Sequence, residues 1–414
     1  MGEGELEEGL GRDAYRVLLQ WSQQQRLHHK LDRWFGNGKT SAKVAVVDRH
    51  DELRRQSRKL VLKLDEVRDE DFTKTEYARH CAAAWASGRF AARHLAELVD
   101  GPIPVGDGRW FTFQSIAGGD LGEFEVLNSL LAGFLGDGND HCDADVFAKV
   151  CRRLVQGLLA GWAGPPHVAY YSVPAFLRLH LGDRLDHGKP LDVLARSMTD
   201  DLVMLPDPLP NPFRLLEDGP ATRGIEVAAP VGRSHGDLHV ENALVRVRPK
   251  IEPADFRLID LAKYEENGPL ARDPVHFLLH MAARSLPYLG PAQRDALLVT
   301  LLDPASTRRD QLPTWLAKTI TEVYRAGEEW VGPSGFGPEW RRHRPLSLLA
   351  CSLIVHVRRT TRREDRDWFM HLAARSAAAS PGAPISTAAS AVEVPAPRDQ
   401  HPARPSLRPR QSGH

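Results

Sequence analysis

Residues 234–245 spell SHGDLHVENALV, and this stretch carries most of the information about the fold. It places two histidines, an aspartate and an asparagine close together and then becomes apolar, as at the start of a strand. Such side chains form hydrogen bonds, accept protons and bind metal ions. A surface loop needs no such set, so the stretch predicts a site of chemistry on the approach to a strand.

The sequence around this loop is mainly helical. From residue 120 onward helical patterns dominate, among them DVFAKVCRRLVQGLLAGWAG, and we expect strands to return only at about residues 235–262. There NALVRVRP and DFRLIDLAKY flank a turn, which predicts a hairpin whose second strand ends at Asp260. Helical runs then continue until the Ala-, Pro- and Ser-rich segment from about Ala378, whose composition predicts disorder.

The N-terminal part predicts a small α+β unit. The runs HHKLDRWFG, KVAVVDRH and KLVLKLDEV are β-rich and are separated by turn-forming or charged segments, which predicts an antiparallel meander. One long helix over TEYARHCAAAWASGRFAARHLAEL and a strand over GRWFTFQSIAGG follow. The spacing of leucine and tryptophan in residues 5–26 predicts one amphipathic helix ahead of the meander.

Composition limits which partners and which cellular compartment we expect for the protein. The 54 basic and 54 acidic residues balance, so global electrostatics gives no reason to expect nucleic acid or an acidic membrane as a partner. The four cysteines lack metal-ligand spacing and predict free thiols in a reducing cytosol. The N-terminus does not have the pattern of a signal peptide, and no apolar run of about 18 residues occurs. We therefore expect a cytoplasmic protein.

The order of residues in the opening stretch resembles the catalytic core of a known group. His235, Gly236, Asp237, His239 and Asn242, followed by Asp260, are similar to the HGDxHxxN loop and Ile-Asp strand end of the aminoglycoside phosphotransferase and choline kinase group. This group is the small-molecule branch of the protein-kinase-like superfamily. The resemblance implies an α+β, bilobal fold with a small antiparallel sheet, one main helix beside it and a mostly helical second lobe.

The resemblance also implies a division of the chain into four parts. They are a helical lead-in over 1–29, a nucleotide-binding lobe over 30–118, a helical lobe with the catalytic loop and a metal-binding hairpin over 119–377, and a disordered tail over 378–414.

The implied activity is the transfer of the γ-phosphoryl group of ATP to a hydroxyl, with Mg²⁺. Positioning and charge neutralisation supply most of the catalysis in such a transfer. Asp237 would orient the acceptor hydroxyl and take its proton, while Asn242 and Asp260 would give Mg²⁺ the oxygen ligands that it prefers. His235 is expected to brace the loop, and His239 to do the same near the substrate.

The family requires a lysine on the strand before the helix, and KLVLKLD supplies Lys63. Alternation along a strand places Val61 and Lys63 on one face, so that Val61 would meet adenine and Lys63 would meet phosphate. Leu60, Leu62 and Leu64 would face the other way. By itself, a lysine in a strand is more often a solvated residue at the edge of a sheet.

For the other predicted nucleotide contacts, the sequence leaves alternative interpretations open. Glu76 would pair with Lys63, or would only favour the dipole of the helix that it begins. Gly36 and Gly38 would form a turn over the phosphates, with Ala42 in the place of the missing third glycine, although this short pattern is a weak signal. The backbone from about Gln114 to Ile116 would meet adenine at a hinge between the lobes, or would belong to an ordinary buried strand.

Beyond the hairpin, Asp273 would cap a helix and bond back to the catalytic loop. The chain also departs from the family. Val240 and Glu241 stand where Pro-Gly is usual, and the segment between Asn242 and Asp260 is longer than usual, which indicates a divergent branch. The first lobe bears a fainter likeness to kinase-like domains of bacterial conflict or signalling gene clusters.

The acceptor is not specified by the sequence. Asp137, Asp140, Asp143 and Asp145 would bind a cationic acceptor, or would belong to a solvated loop, which is the more frequent case. The later basic runs EWRRHR and VRRTTRRED argue against a uniformly anionic pocket and could instead form a solvated or partner-binding face.

Two classes of function therefore remain open. The first is a phosphotransferase acting on a hydroxyl of a small molecule or, less often in this group, of a protein. The second is a nucleotide-binding, kinase-like sensor or scaffold module that presents its helical lobe or tail to a protein partner without small-molecule turnover.

Overall fold

A computed structural model gives the structure of residues 3–34, 43–66, 75–106, 108–115, 121–136, 142–165, 167–205 and 207–380. The strands are β1 Leu27–Trp34, β2 Lys43–Asp51, β3 Gln56–Glu66, β4 Glu97–Gly106, β5 Arg109–Ser115, β6 Phe124–Val126, β7 His167–Ser172, β8 Leu202–Leu205, β9 Asp207–Pro210, β10 Glu226–Ser234, β11 Ala243–Arg246, β12 Phe256–Leu258 and β13 Glu265–Pro269. The helices are α1 Glu3–Leu10, α2 Arg12–Gln25, α3 Glu76–Ala86, α4 Gly88–His94, α5 Leu127–Ala132, α6 Ala144–Gln156, α7 Val173–Leu181, α8 Pro190–Ser197, α9 Arg272–Ser285, α10 Pro291–Leu302, α11 Thr314–Val331, α12 Gly337–Val357 and α13 Arg363–Ala378.

The first lobe is built on a five-stranded sheet in the order β1-β2-β3-β5-β4, with antiparallel pairing throughout. The predicted meander of β1, β2 and β3 is confirmed. Strand β3 lies in the middle of the sheet, so Lys63 is not an edge residue. Its side chain is buried.

The two faces of β3 pack against different neighbours. Leu60, Leu62 and Leu64 lie in an apolar core that includes Leu10 and Leu18 from the N-terminal helices. Val61 instead belongs to a separate cluster on the opposite face. This arrangement confirms the predicted alternation and leaves the Val61 and Lys63 face directed away from α1 and α2.

Three local predictions in this lobe were wrong. The lead-in forms two helices because Gly11 interrupts them with a φ of 87°, a conformation that favours glycine. The long helix is also two helices, α3 and α4, which meet at Ser87. The segment from Glu97 onward forms β4 rather than the end of a helix, because its backbone pairs with β5.

The second lobe is mostly helical. The predicted hairpin is confirmed: β11 and β12 pair antiparallel, with Ala243 opposite Leu258. The expectation that strands return only near this hairpin was wrong, because β6 to β10 precede it. Strand β6 pairs with β11, and β10 pairs with β7 and β13. The α+β fold with a sheet lobe and a helical lobe is confirmed.

The larger core fills the helical lobe. It joins α6, α9 and α11 with the hairpin and contains fully buried Phe147, Trp162, Phe277 and Leu297. All four cysteines are free thiols, as predicted. Across the described ranges, no helix has both the length and the apolar character needed to cross a bilayer. The predicted disorder of the tail concerns residues that, beyond 380, lie outside the described part of the chain.

Candidate functional site

The loop between β10 and β11 requires glycine at one position. Gly236 has a φ of +77°, and a Cβ atom there would lie 1.9 Å from the carbonyl oxygen of Lys263. Any larger residue would have to move the backbone after β12. The glycine therefore lets the loop that carries Asp237 pass close to the chain segment that follows Asp260.

Buried hydrogen bonds hold the same loop. The carboxylate of Asp273 accepts from the backbone N–H of His235 at 2.7 Å and from that of Gly236 at 2.9 Å. The Nε2 of fully buried His235 donates to the carbonyl oxygen of Ile259 at 3.0 Å. Asp273 thus bonds back to the loop as expected. It does not cap α9, since Ala271 occupies the N-cap position without a side-chain bond.

Asn242 and Asp260 lie on facing sides of the hairpin. The backbone N–H of Ile259 donates to the carbonyl oxygen of Asn242 at 3.1 Å. The Asn242 amide donates through Nδ2 to the carbonyl oxygen of Asp237 at 3.0 Å, which fixes the orientation of its Oδ1. Asp260 adopts a left-handed backbone conformation with a φ of 60°. This conformation is costly for a residue other than glycine and is frequent at functional sites.

Lys63 lies at the centre of a cluster of carboxylates. It forms a short ion pair with Glu76, and its Nζ is 3.4 Å from Oδ1 of Asp65 and 3.6 Å from Oδ1 of Asp260. Gln114 Nε2 is 3.5 Å from the other oxygen of Glu76. Glu76 therefore does contact Lys63, and the cluster joins the first lobe to the hairpin of the second.

The charge of this cluster is unbalanced. Burial alone lowers the pKa of Lys63, but the carboxylates of Glu76, Asp260 and Asp65 outweigh it and hold that pKa well above its usual value. Burial raises the pKa of Glu76 to about 8, and the neighbouring carboxylates add to the effect. Three acidic groups thus surround one ammonium, and an additional cation would relieve their repulsion.

Asp237 is surrounded by positive charge and imidazole rings. Its Oδ1 is 3.3 Å from Nη2 of Arg358 and 3.5 Å from Nδ1 of His276, and its Oδ2 is 3.8 Å from Nε2 of His239. The Asp237 side chain is 25% exposed. The side chain is therefore partly accessible, while three residues contact its carboxylate.

These neighbours keep Asp237 ionised. Burial alone raises the pKa of Asp237, but His276, His239, Arg358 and Arg184 together hold it well below the usual range. Burial lowers the pKa of His276 well below its ordinary value, and the Asp237 carboxylate opposes that shift. Arg358 and Arg184 add the charge of two guanidinium groups to this environment.

A second set of metal-binding side chains lies on the other side of His239. His239, Glu241 and His280 offer ligand atoms that all lie within 4.8 Å of one another. The rings of His239 and His280 stack at 4.5 Å, and Glu241 also bonds Arg284. Imidazole and carboxylate donors are typical of zinc and other transition metals rather than of Mg²⁺.

The remaining predicted nucleotide contacts are placed only in part. Val61 lies in an apolar cluster with Val46 of the five-stranded sheet and with Phe124 and Leu244, which come from the paired strands β6 and β11. Gln114 is buried within the sheet and pairs with Val61 on one side and with Leu98 on the other, as in an ordinary buried strand.

Several of the sequence predictions fall on parts of the chain outside the described residues. They concern the turn over the phosphates, the end of the hinge and half of the acidic stretch: Gly36, Gly38, Ala42, Ile116, Asp137 and Asp140. The described half of the acidic stretch has structural contacts. Asp143 caps α6 through the N–H of Val146 at 2.7 Å, and Asp145 pairs with Lys318 at 2.7 Å.

Sequence reasoning missed four residues of the site, which are Asp65, Arg184, His276 and Arg358. Asp65 had a usable signal, since it lies two positions after Lys63 and therefore on the same strand face. Arg184 and Arg358 had none, because no local pattern connects them to Asp237. Arg358 belongs to the basic run VRRTTRRED, and its side chain is only 17% exposed. That run is therefore partly a component of the site and not only a solvated face.

Comparisons with known proteins give limited information. No model of a known protein family matches the chain, and no curated protein matches it. One similar solved structure is a candidate aminoglycoside phosphotransferase from Ralstonia eutropha, with 10% identity, a TM-score of 0.47 and coverage of 87% of this chain and 97% of that chain.

Two other similar structures are of glucosamine kinase. One, crystal form B, has 13% identity, a TM-score of 0.35 and coverage of 84% of this chain and 92% of that chain. The other, in complex with glucosamine, ADP and inorganic phosphate, has 12% identity, a TM-score of 0.35 and coverage of 88% and 81%. Similarity at this level does not carry function.

Proposed function

We propose that the protein is an ATP- and Mg²⁺-dependent phosphotransferase that moves the γ-phosphoryl group of ATP to a hydroxyl of a small molecule. One observation carries this proposal: a lysine of the sheet lobe lies close to an aspartate of the hairpin in the helical lobe. Lys63 from the sheet lobe lies 3.6 Å from Asp260 at the end of the hairpin, and the hairpin begins directly after the loop of Asp237. The family resemblance of that loop supports the same activity.

Lys63 and Val61 would bind the nucleotide. The ammonium of Lys63 is held by Glu76 and would neutralise phosphate oxygens. The apolar cluster that joins Val61 to Phe124 of β6 and Leu244 of β11 would receive the adenine ring. This arrangement would orient the triphosphate toward Asp260. The residues of the first lobe thus bind and orient, and the reacting groups come from the second lobe.

Asp237 would act on the acceptor. Its ionised carboxylate would accept the proton of the acceptor hydroxyl as the hydroxyl oxygen forms a bond to the γ-phosphorus. The bond between that phosphorus and the bridging oxygen breaks at the same time, and ADP leaves with the bonding electrons. The depressed pKa of Asp237 keeps the carboxylate ionised at neutral pH, so that it can accept a proton.

Asp260 and Asn242 fit a magnesium ion. A carboxylate and an amide oxygen are hard ligands of the kind Mg²⁺ prefers, and the surplus of carboxylates around Lys63 favours an added cation. Bound there, Mg²⁺ would neutralise charge on the phosphates of ATP. Asn242 would hold its position through its bond to the backbone of Asp237.

A thermal-shift experiment tests this proposal. ATP with Mg²⁺ should raise the melting temperature. A ligand that binds only the folded state adds about 2.7 kcal/mol to the free energy of unfolding at a hundredfold excess over Kd. ATP without metal should do much less. Asp260→Ala should abolish the metal-dependent part, and Lys63→Ala should weaken binding with or without metal. A screen of γ-labelled ATP against hydroxyl compounds then measures transfer.

The outcomes separate the possible functions. If no nucleotide and metal combination shifts the wild-type protein, the enzyme proposal falls. A shift that survives Asp260→Ala in full would overturn the metal assignment. Binding with Mg²⁺ but without transfer to any acceptor would favour the nucleotide-sensing module instead.

A further inference from the structure

A pocket of about 150 Å³ lies between the turn after α7, the start of α8 and the end of α12. Three cationic side chains, those of Arg184, Lys189 and Arg358, line it, together with apolar side chains from α8 and α12. No carboxylate is among the described residues of its lining. Its volume equals that of about five water molecules in the liquid, which suits a small organic molecule.

The pocket is next to the proposed catalytic base. Arg358 lines it and also approaches Asp237, with Nη2 at 3.3 Å from Oδ1. Arg184 is close enough for its charge to help lower the pKa of Asp237. A molecule in this pocket would therefore lie beside the carboxylate that is proposed to receive the proton of the acceptor.

The three cations differ in how their charge is balanced. Lys189 is 3.1 Å from both Asp183 and Asp186, and Arg358 is balanced by Asp237. Arg184 is partly buried and lies near the charges of Asp237 and Asp183, yet in the described part of the chain it forms no hydrogen bond and no ion pair within 4 Å. Taking a guanidinium out of water without a partner is unfavourable. An anionic ligand would supply the missing partner through charge-assisted hydrogen bonds.

We propose that this pocket is the acceptor subsite and that it selects acceptors carrying a carboxylate or phosphate group in addition to the reacting hydroxyl. The inference rests on the proposed phosphotransfer and specifies its substrate class. Arg184 would bind the anionic group, Arg358 would position it relative to Asp237, and the apolar wall would pack against the carbon skeleton. A cationic acceptor would be repelled by the same side chains.

Direct binding without nucleotide tests the subsite. Calorimetry on the full-length protein should show that glycerate and glycerol 3-phosphate bind more tightly than glycerol, and that 3-amino-1,2-propanediol does not bind. The two anions distinguish a carboxylate site from a phosphate site. Arg184→Gln should weaken anion binding about tenfold, because one charge-assisted contact is lost, and Arg184→Lys should weaken it less.

Arg196→Gln is the matched control. Arg196 is an arginine on the neighbouring α8 that pairs with Asp192 at 2.9 Å, is 60% exposed and does not line the pocket, so its loss should leave anion binding unchanged. Anions that bind no better than glycerol would overturn the proposal. Anion binding that survives Arg184→Gln would also overturn it, because the anion would then bind elsewhere.

A transfer assay completes the test. With ATP and Mg²⁺, ADP release should be faster with the anionic acceptors than with glycerol or the amine, and Arg184→Gln should remove most of that preference. Faster transfer to the amine would overturn the anionic subsite while leaving the phosphotransferase intact. Conversely, failure of ATP to shift the melting temperature would reject the phosphotransferase, while the binding measurements without nucleotide still decide whether the anion site exists.

Discussion

Asp237 has an environment that its own loop does not supply. The loop contributes His239, whereas His276 comes from α9, Arg358 follows α12 and Arg184 lies after α7. This convergence keeps the carboxylate ionised although much of it is removed from water. An ionised and partly exposed carboxylate is able to accept a proton from a bound hydroxyl, as a general base does.

Replacing this carboxylate with an amide tests its role. Asp237→Asn should reduce phosphoryl transfer by roughly 10² to 10⁴, since a general base contributes mainly at the transition state, while the affinity for nucleotide stays close to that of the wild type. Steady-state rates and nucleotide titrations measure the two effects. Asp145→Asn is the control, because Asp145 is 78% exposed and pairs with Lys318 at 2.7 Å, away from Asp237 in the described contacts. Equal rates in Asp237→Asn and wild type would remove Asp237 from the mechanism.

The N-terminal helices α1 and α2 pack on one face of the five-stranded sheet. Leu6, Leu10 and Leu18 pack on the face of the sheet opposite to Lys63, in one core with Leu60 and Leu62 of β3. The strand that presents Lys63 is thus supported from behind by residues near the start of the chain. Loss of that packing would loosen β3 and with it the position of the ammonium.

Two adjacent leucines on α2 separate this packing from helix propensity. Leu18 is 1% exposed, so Leu18→Ala should cost roughly 2 to 5 kcal/mol through lost burial and a residual cavity. Leu19 is 43% exposed, so Leu19→Ala should change stability by about 0.5 kcal/mol or less. Urea unfolding of the full-length chain measures both. If the two variants lost stability equally, α2 would not be packed on the sheet as described.

Many histidines are buried across the whole molecule. Burial lowers the pKa of His29 to about 3 and the pKa values of His80, His94 and His343 to about 4, from an ordinary value of 6.5. Between pH 6.5 and about 4 the unfolded chain therefore binds more protons than the folded one. The contribution of these neutral, buried histidines to the free energy of unfolding is complete above pH 6.5 and is lost as the pH falls toward 4. Glu76, Asp65 and Asp273 have raised pKa values and therefore the opposite effect on stability.

The melting temperature should accordingly fall when the pH is lowered from 6.5 to 5. His343 is fully buried, so it alone should contribute up to about 1.4 kcal/mol of unfolding free energy per pH unit in this window. His343→Gln should make the slope of stability against pH shallower by about that amount. Denaturant titrations at several pH values measure the slope, and an unchanged slope would show that His343 is not a source of it.

Much of the site and fold was accessible from the sequence because the signals are local. The HGDLHVEN loop, the hairpin ending at Asp260 and the alternation of β3 that separates Lys63 from Leu62 each depend on neighbours within a few residues. Period-two patterns and turn residues determine such features directly. The resemblance to a known family rests on the HGDLHVEN loop and on Asp260.

Other elements were decided by tertiary contacts. The chain from Glu97 has helix-forming residues just before it, but it becomes β4 because β5 offers a pairing partner, and this pairing outweighs a weak local preference. Strand order in the sheet and the pairing of β6 with β11 likewise depend on segments distant in the sequence.

The sequence by itself determined which residues form the HGDLHVEN loop and which face of β3 carries the lysine. Only the tertiary structure decided what surrounds them. Arg358 reaches Asp237 across 121 positions of sequence, and Arg184 joins it from a different turn. No periodicity links such residues, because their proximity follows from the packing of α7, α9 and α12 around one site. The positive charge beside Asp237 is therefore a property of the folded molecule alone.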